Sequence, residues 1–446
     1  MPLSSADPKF RVAICGAGIG GLALAVTIGK FANQDIHIDL YEAHDATTTG
    51  GAGVVLSSRT MEVMKELDMY EEISRVSTKP PSSSHALKVR RSDMPQGGFE
   101  WLQSPPTVSS HMNHQHLVET LKQNLPSSCS LHFNKRLTRY DKQLSGSLIL
   151  HFADDSTSAT DVLIGADGIY SSVRKTFFET LDEDVIDPSK IRHYVDPSWT
   201  GTLVYRTVFP AKKLSELDPD HIALTNFIIF CGKRKHVVSY PVSQGTLINV
   251  VALVTDEDKA GTPFEGRWAS SVSHEEVQES YQDFESAVKN LLKCFENPSR
   301  WALHVVNELP LSAYDRVALI GDACHAMTPH FGAGAGQAIE DAFVLGRLLA
   351  HPLTTLDNLP AALKAYQDVR LPFAQFVARE SELRGRMWDF ELSSTAGGEV
   401  QEELEIQKEK LLAQWEWEGR DRPVAEWLEA ERKLQESIGV SNGLLT

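Results

Sequence analysis

Residues 10–21 of the chain read FRVAICGAGIGG, an apolar run followed at once by a glycine-rich turn. The run from Phe10 to Cys15 is short and almost wholly apolar, which is typical of a buried parallel strand. Residues 22–31 have helical character, and residues 36–42 (IHIDLYE) form a second apolar run that ends in Glu42. Strand, glycine turn, helix and strand together predict a βαβ unit of an α/β fold of the Rossmann type.

Gly16, Gly18 and Gly21 give the spacing G-x-G-x-x-G between this strand and this helix. In that arrangement the first glycine allows a tight turn, the second lets backbone approach a pyrophosphate, and the third lets helix pack on strand. The helix N-terminus adds amide donors and a partial positive charge for phosphates. Glu42 stands at a strand end, where its carboxylate would accept hydrogen bonds from ribose hydroxyls. The segment therefore predicts a dinucleotide site, for either NAD or FAD.

Composition narrows the possible partners and the compartment. The chain has 446 residues and a formal net charge of −17, a surface that repels nucleic acid and anionic membranes, so neither is expected as a partner. No uncharged apolar run reaches about 18 residues, so no spanning helix is expected. Five scattered cysteines without a C-x-x-C pair, and an N-terminus without a signal-peptide pattern, favour a reduced, cytoplasmic protein.

Apolar runs and turn residues predict four parts of the chain. Residues 1–180 form a nucleotide-binding domain with a local insertion at 77–110, and residues 181–310 form an inserted antiparallel sheet with one face against the active site. Residues 311–390 return to the first domain and continue into a long helix, which Pro372 is expected to kink or divide. Residues 391–446 form an acidic tail, predicted as one or two solvated surface helices.

Two later segments indicate FAD. Residues 164–174 read IGADGIYSSVR, and residues 317–336 read VALIGDACHAMTPHFGAGAG. The first resembles the motif that serves both FAD and NAD(P)H pyrophosphates in FAD-dependent aromatic hydroxylases, and the second resembles their G-D-A-x-H-x-x-x-P segment. The glycine loop and these two segments follow one another along the chain in the same order as in that family. The chain is therefore identified as a member of the group A flavoprotein monooxygenases of the salicylate-hydroxylase type, most like fungal members. The resemblance covers roughly residues 10–390.

The resemblance implies a glutathione-reductase-like FAD-binding domain with an inserted antiparallel substrate sheet and C-terminal helices. Asp322 would contact the ribityl chain, and the helix that starts near Gly334 would face the pyrimidine side of the flavin, where a helix N-terminus stabilises negative charge. His114 stands where the family usually has an arginine, and its charge varies with pH. The implied FAD-binding residues are Gly16, Gly18, Gly21, Glu42, Gly53, His114, Asp167, Asp322, Gly334 and Ala335.

Two segments of the predicted sheet resemble the strands that form the family's substrate pocket. They are Tyr205-Arg206-Thr207 and His236 to Val242. Arg206 would stabilise a phenolate or carboxylate because it is permanently cationic and forks its donors, and Tyr240 would hydrogen-bond the same oxygen, so both are assigned as catalytic.

Two histidines of the third glycine segment, His325 and His330, are not assigned a catalytic role. His325 is expected to pack and hydrogen-bond beside the flavin, and His330 to lie nearer the pocket. His111, His114 and His116 have imperfect zinc spacing, and no acid or cysteine completes a ligand set, so no metal site is predicted.

The resemblance also implies the reaction. NADH or NADPH, bound transiently at the FAD domain's surface, reduces FAD, and O2 forms a flavin C4a-hydroperoxide that hydroxylates a phenolic aromatic substrate. Two substrate classes stay open. One is a salicylate- or 4-hydroxybenzoate-like acid that also loses CO2, and the other is a resorcinol or polyketide phenol, hydroxylated or dearomatised in secondary metabolism. A monomer or homodimer is expected.

Three further interpretations remain open at this point. A flavin-dependent epoxidase or reductase acting on a lipid would usually carry membrane anchors, which the sequence lacks. A flavin halogenase would need a G-W-x-W-x-I-P signature, which is also absent. A module that keeps FAD without turnover would show no substrate-stimulated oxidation of NAD(P)H.

Overall fold

The computed structural model describes residues 9–47, 53–77, 86–94, 96–105, 110–391, 400–416 and 422–439. Its strands are β1 (Arg11–Cys15), β2 (His37–Tyr41), β3 (Gly53–Leu56), β4 (Lys88–Arg91), β5 (Phe99–Gln103), β6 (Ser110–Asn113), β7 (Cys129–His132), β8 (Leu137–Lys142), β9 (Leu148–Phe152), β10 (Thr157–Thr160), β11 (Val162–Gly165), β12 (Ser198–Pro210), β13 (Ile228–Gly232), β14 (Lys235–Val242), β15 (Leu247–Thr255), β16 (Ala269–Ser271), β17 (Ser299–Val305), β18 (Ala313–Tyr314) and β19 (Val317–Leu319).

Its helices are distributed along the whole described chain. They are α1 (Ile19–Phe31), α2 (Ser58–Glu66), α3 (Tyr70–Val76), α4 (His114–Gln123), α5 (Ser172–Glu179), α6 (Ile191–Val195), α7 (Ala211–Leu217), α8 (His274–Glu279), α9 (Ser286–Lys293), α10 (Asp322–His325), α11 (Gly334–Ala350), α12 (Leu359–Trp388), α13 (Val400–Gln414) and α14 (Pro423–Ser437).

A sheet that is parallel except for its edge strand β18 forms the centre of the nucleotide-binding part. Its described strands run in the order β18-β19-β11-β1-β2-β7, and β1 pairs in parallel with both β2 and β11. Helix α1 connects β1 to β2, buries every residue from Gly21 to Ile28, and packs against α11. Apolar side chains on both faces of the parallel strands explain why these strands read as continuous apolar runs. The predicted βαβ unit is confirmed.

A second, larger sheet, called here the large sheet, has the described strand order β16-β17-β12-β15-β14-β13-β4-β5. Its neighbouring strands are antiparallel except β13 and β4, which pair in parallel. Strands β12 to β17 come from the predicted 181–310 part, whereas β4 and β5 come from the predicted insertion at 77–110. The large sheet is therefore built from two separate stretches of the chain.

The start of one central strand differs from the sequence prediction. A strand was predicted over residues 224–230, yet Ile222–Leu224 is a 3-10 turn and β13 begins only at Ile228. The side chain of His221 accepts a hydrogen bond from the amide of Ala223, at 3.1 Å, and so caps the turn. A local side-chain bond of this kind competes with strand pairing and delays the strand.

Helix α12 runs through Pro372 without a break, so this proline does not divide the helix, and the predicted kink stays a prediction. A proline inside a helix costs about 3 kcal/mol because it removes one hydrogen bond and crowds the preceding turn. Here Arg370, Leu371 and Ala374 are all buried around it. Packing on both sides of Pro372 offsets the local cost.

The acidic tail is also different from the prediction. Helix α14 buries Trp427, Ala430 and Leu434 against the nucleotide-binding part, and even Glu426 is only 5% exposed. The prediction of solvated surface helices is therefore wrong for this face of α14. The many acids of the tail obscured an apolar stripe at helical spacing. Among the described residues, no helix is long and apolar enough to cross a membrane.

Candidate active site

The glycine loop between β1 and α1 is closed tightly around two of its three glycines. Gly16 has φ +107°, and a Cβ there would lie 2.2 Å from the carbonyl oxygen of Ala166. A Cβ on Gly21 would lie 1.9 Å from the carbonyl oxygen of Gly16. Gly18 differs, because no atom lies within 4 Å of the corresponding position and the residue is exposed. The loop thus leaves open space at the N-terminus of α1, where a phosphate would meet amide donors.

Glu42 follows β2 and lies beneath this loop. Its Oε2 accepts a hydrogen bond from the amide of Ala17 at 3.0 Å, and its Oε1 lies 2.9 Å from Nδ1 of His44. The carboxylate therefore fixes the loop and is also placed next to the open space beside Gly18. Its predicted contact with a ribose stays a prediction.

Asp167 uses its oxygens inside the protein. One accepts a hydrogen bond from the amide of Val173 at 3.1 Å, and the other from the hydroxyl of Ser171, at the start of α5. Burial raises the pKa of the Asp167 carboxyl group. Asp167 therefore holds the turn at Gly168, which has φ +78° and open space beside its Cα. A direct contact of Asp167 with a cofactor stays a prediction.

The third glycine segment opens onto a cavity of about 850 Å3. Asp322 and Ala335 line this cavity, and nothing lies within 4 Å of a Cβ built on Gly334. Asp322 lies deep in the molecule, which raises the pKa of its carboxyl group, yet its side chain is open to the cavity. The starts of α10 and α11 therefore offer a carboxylate and free helix amides to the same space.

His325 packs behind that segment, as its predicted structural role requires. Its Nε2 lies 2.5 Å from Oδ2 of Asp341, and the same carboxylate oxygen accepts the amide of Gly321 at 3.0 Å. Nε of Arg370 donates to the other oxygen of Asp341 at 3.0 Å. These bonds hold the turn that presents Asp322.

One face of the large sheet forms the opposite wall of the cavity. Alternate residues of its central strands point into the cavity, and the residues between them pack on α8 and α9. The cavity-facing residues are Val204, Arg206, Phe227, Ile229, His236, Val238, Tyr240, Val251 and Leu253.

The structure brings Arg206 and Tyr240 together on this wall. They are close enough for each to shift the other's pKa, but burial has the larger effect on both. Burial lowers the pKa of Arg206 and raises the pKa of Tyr240 to about 12. Among the described residues, no acidic side chain forms an ion pair with Arg206.

Gly53 and His114 lie around the same pair. A Cβ on Gly53 would be 2.6 Å from the hydroxyl oxygen of Tyr240, so only glycine leaves room for that ring. The amide of Gly53 donates to Oδ1 of Asn249 at 3.1 Å. His114 begins α4, and burial, followed by the positive charge of Arg206, lowers its pKa.

Sequence reasoning missed a histidine–aspartate pair at the other end of the sheet. Nδ1 of His236 lies 2.6 Å from Oδ1 of Asp389, and Thr255 donates to the other Asp389 oxygen at 2.8 Å. Nε2 of His236 is buried and has no hydrogen-bond partner among the described residues. The ring of His330 lies 5.2 Å away, and burial lowers its pKa well below the usual value. His236 and Tyr240 are four residues apart on β14 and so lie on the same face of the strand. This spacing was the available signal that His236 faces the cavity, although nothing in it indicated Asp389.

These features fit a dinucleotide cofactor that reaches from the glycine loop to the cavity. The open spaces beside Gly18 and Gly334 are the places where a side chain would block a bound group. Glu42 and Asp322 supply carboxylates near the two ends. The fold and the site together define a flavin-dependent oxidoreductase with an enclosed substrate cavity.

Comparison with known proteins supports that class. A family model described as an FAD binding domain matches residues 9–381. The chain is 32% identical over 417 residues to a salicylate hydroxylase of Pseudomonas putida, covering 92% of each protein. It is 31% identical over 392 residues to the 6-methylsalicylate 1-monooxygenase atA of Aspergillus terreus, covering 86% of this chain and 84% of that protein. A solved structure of a salicylate hydroxylase substrate complex matches with a TM-score of 0.80 and 30% identity, covering 95% of this chain and 98% of that chain.

The chain therefore belongs to the FAD-dependent monooxygenases of the salicylate-hydroxylase type. It is an FAD-dependent aromatic hydroxylase, with FAD as cofactor and NAD(P)H as electron donor. The predicted fold, with its inserted sheet and C-terminal helices, is confirmed. The similar proteins do not favour the alternatives of an epoxidase or of a resorcinol-type phenol as substrate.

Proposed function

We propose that the enzyme hydroxylates a single-ring phenol that carries a carboxylate, and that the carboxylate leaves as CO2. One oxygen atom of O2 enters the ring, the other leaves as water, and NAD(P)H supplies the two electrons. The names of similar proteins support this substrate class, since they include two salicylate hydroxylases and a 6-methylsalicylate 1-monooxygenase. The enclosed cavity of about 850 Å3 falls in the size range of small-molecule sites.

The observation that carries the proposal is the environment of Arg206. A guanidinium buried in a cavity wall without a carboxylate partner is costly, because burial disfavours its charge. An anionic ligand offsets that cost and matches the forked donors of arginine. A phenolate or carboxylate of the substrate is such a ligand, and a neutral, purely apolar ring is not.

Tyr240 supports the same assignment. Burial raises its pKa to about 12, so at neutral pH the side chain is a phenol and donates a hydrogen bond. Its ring is stacked on Phe227 at 4.7 Å and tilted against His111 at 5.4 Å, which fixes the direction of the hydroxyl. We assign Tyr240 the role of orienting the substrate oxygen that Arg206 binds.

His236 and His330 form the second polar end of the cavity. Asp389 holds the ring of His236 by Nδ1, and the buried Nε2 has no partner among the described residues. We assign this nitrogen to the substrate's second polar group. The walls between the two ends are apolar, with Val204, Val238 and Val251, and they exclude water from the ring.

The cofactor assignments start from the open spaces beside Gly18 and Gly334 and extend to the residues around them. Gly16, Gly18 and Gly21 would hold the FAD pyrophosphate at the start of α1, and Glu42 the adjoining ribose.

Asp322 would bond the ribityl chain, while Gly334 and Ala335, at the start of α11, would face the flavin. Gly53 and His114 would flank the flavin from β3 and α4, and Asp167 would hold the turn at Gly168. Bound FAD supplies the activation of O2 that the side chains cannot supply.

The proposal is tested with the purified, FAD-loaded enzyme and a panel of hydroxybenzoates and phenols. We expect a carboxylated phenol to accelerate NAD(P)H oxidation and to yield a product that has lost CO2 and gained one oxygen, detected by mass spectrometry. A product that gains oxygen and keeps every carbon would reject the decarboxylation. Stimulation by phenols without a carboxylate, and by no carboxylated phenol, would reject the substrate class.

We also propose the cytoplasm as the compartment and a monomer or homodimer as the assembly. The support for a reducing compartment is that all five cysteines are free thiols. Light scattering of the purified enzyme measures the mass, and a species larger than a dimer would contradict the proposed assembly.

A further inference from the structure

A second depression, of about 300 Å3, lies at the surface next to the main cavity. It is called here the aromatic groove. The turn after Gly168 forms one side, and the segment before β16 and strand β17 form the other. Its lining residues are Tyr170, Phe264, Gly266, Arg267, Trp268, Ala269 and His304.

The groove exposes aromatic faces to solvent. Tyr170 is 52% exposed and Trp268 is 41% exposed, and their rings meet edge to face at 5.5 Å and 68°. Trp301 packs against Trp268 from inside, at 4.9 Å, which fixes the indole. Exposed, rigid aromatic rings are typical of a surface that stacks a planar ligand.

The groove connects to the site of the flavin. Trp268 and His304 line both the groove and the main cavity. The main cavity is also lined by Ile169, which directly precedes Tyr170, and by Asp322, the residue proposed to bond the ribityl chain. A ring that stacks in the groove therefore contacts residues that also line the main cavity, whereas Arg206 and Tyr240 do not line the groove.

The positively charged side chain of Arg267 lies at the rim of the aromatic groove. Arg267 is exposed, and no described acidic side chain forms an ion pair with it. The whole chain carries a net charge of −17, so a cation at the rim gives the groove a local positive charge on a molecule that is acidic as a whole. Its forked donors suit a phosphate.

We propose that the aromatic groove binds NAD(P)H, with the nicotinamide end stacked on Tyr170 and Trp268 and a phosphate at Arg267. The inference rests on the NAD(P)H-dependent reaction given above and adds the place where the reductant binds. It moves the coenzyme from the surface of the FAD domain, where it was expected, to a groove shared between that domain and the large sheet.

The test measures coenzyme binding without turnover. The FAD-loaded enzyme is titrated calorimetrically with the unreactive tetrahydro forms of NADH and NADPH. Tyr170→Ala and Arg267→Ala are the main variants because neither residue lines the main cavity. Tyr314→Ala is the matched control, since Tyr314 is a similarly exposed tyrosine, 45% exposed, on β18.

We expect Tyr170→Ala to weaken analogue binding by about three- to tenfold, the size of one aromatic contact. Arg267→Ala should weaken binding at low salt, with a loss that shrinks as salt rises, because an exposed charge pair is screened. Tyr314→Ala should bind as the wild type does. Salicylate binding, followed by the change in the flavin absorption spectrum, should stay within twofold in all three variants.

Wild-type affinity in both Tyr170→Ala and Arg267→Ala would overturn the proposal, as would the absence of saturable analogue binding to the wild type. A loss of salicylate binding equal to the loss of analogue binding would also overturn it, because it would show a general disturbance of the cavity. The titration requires no hydroxylation, so its outcome is independent of whether the phenol panel identifies a substrate.

Discussion

At the scale of the residue, Arg206 is the side chain on which the substrate assignment depends. We expect Arg206→Met to weaken binding of a carboxylated phenol by about ten- to a hundredfold, because a charge-assisted hydrogen bond contributes about 1.5–3 kcal/mol. Arg206→Lys should recover only part of this, since an ammonium cannot fork its donors. Binding is measured from the flavin spectrum.

The control for this experiment is Arg300→Met, which removes an arginine from the neighbouring strand. Arg300 pairs with Glu276, 3.1 Å away, on the face of the large sheet that is turned from the cavity. Substrate affinity should be unchanged in Arg300→Met. Equal losses in the two arginine variants would contradict the assignment of Arg206.

Substitutions of two glycines of the loop, Gly18 and Gly21, should cause different defects, one in FAD binding and one in protein stability. Gly18→Val places its side chain in open space, so the apoprotein should fold with wild-type stability but bind FAD at least tenfold more weakly. Gly21→Val drives its Cβ into the carbonyl oxygen of Gly16 and should destabilise the protein itself. FAD affinity and denaturant midpoints of the apoproteins separate the two effects. If Gly18→Val bound FAD with wild-type affinity, the assignment of this loop to the FAD site would be contradicted.

Glu391 should make stability depend on pH. Burial, followed by the nearby carboxyl group of Glu257, raises the pKa of Glu391 to about 7. Between pH 4.5 and 7 the folded state therefore keeps a proton that the unfolded state has released, so the free energy of unfolding falls as pH rises. The loss is at most about 3 kcal/mol and is complete above pH 7.

The variant Glu391→Gln carries no titrating proton and should remove that part of the pH dependence. Urea unfolding at pH 5 and pH 8, with FAD saturating, measures the difference. Glu179→Gln, at an exposed site, is the control and should keep the wild-type slope. An unchanged pH dependence in Glu391→Gln would contradict the raised pKa.

At the scale of the element, helix α14 is anchored by a buried ion cluster and not only by its apolar stripe. Arg59 donates to Glu340 at 2.9 Å and to Glu426 at 2.7 Å, and Arg370 also pairs with Glu426. The tail of this chain therefore contacts the helix α2 that follows the cavity strand β3.

Removing the acid of that cluster should destabilise the fold. Glu426→Ala leaves two buried guanidinium groups with fewer partners, and breaking a buried pair costs about 3–5 kcal/mol. Glu429→Ala, on the exposed face of the same helix, removes a surface pair with Arg432 and should cost at most about 1 kcal/mol. Chemical denaturation measures both. Equal stabilities would show that the cluster is energetically neutral.

At the scale of the whole molecule, the large sheet prevents a clean division of the chain into separate folding units. Strand β13 pairs with β4, from the 77–110 insertion, through residues 228–231. A fragment of residues 181–310 lacks β4 and β5 and exposes the edge of β13. We expect this fragment to be aggregated or unfolded by size exclusion and circular dichroism. A monomeric, cooperatively unfolding fragment would contradict this.

Local rules in the sequence predicted the parts of the site that depend on backbone geometry. Gly16 and Gly21 are required by contacts within the loop, and Glu42 ends a strand beside it, so spacing alone placed them. Arg206 and Tyr240 were found through the family resemblance, and strand alternation then explains why both face the cavity. The inferences on Gly16, Gly21 and Glu42 needed no knowledge of the tertiary fold, whereas those on Arg206 and Tyr240 depended on the resemblance.

Other parts could not be predicted because they depend on residues far apart in the chain. His236 meets Asp389 across 153 positions, and Glu426 meets Arg59 across 367. No local pattern links such partners, and an acid in an acidic tail is ordinarily solvated. The continuity of α12 through Pro372 was missed for the same reason, because the residues around the proline are buried against other elements.

The alternation of the large sheet has a consequence for how new activities could evolve or be engineered. Backbone pairing and the helices α8 and α9 hold the sheet from its other face, so inward positions are free to vary independently. Val204, Val238, Val251 and Leu253 can be randomised as a library while Arg206 is retained. We expect many variants of these positions to change which substrates are bound while they keep most of the stability of the fold. Substitutions in this wall are therefore a direct way to change substrate specificity.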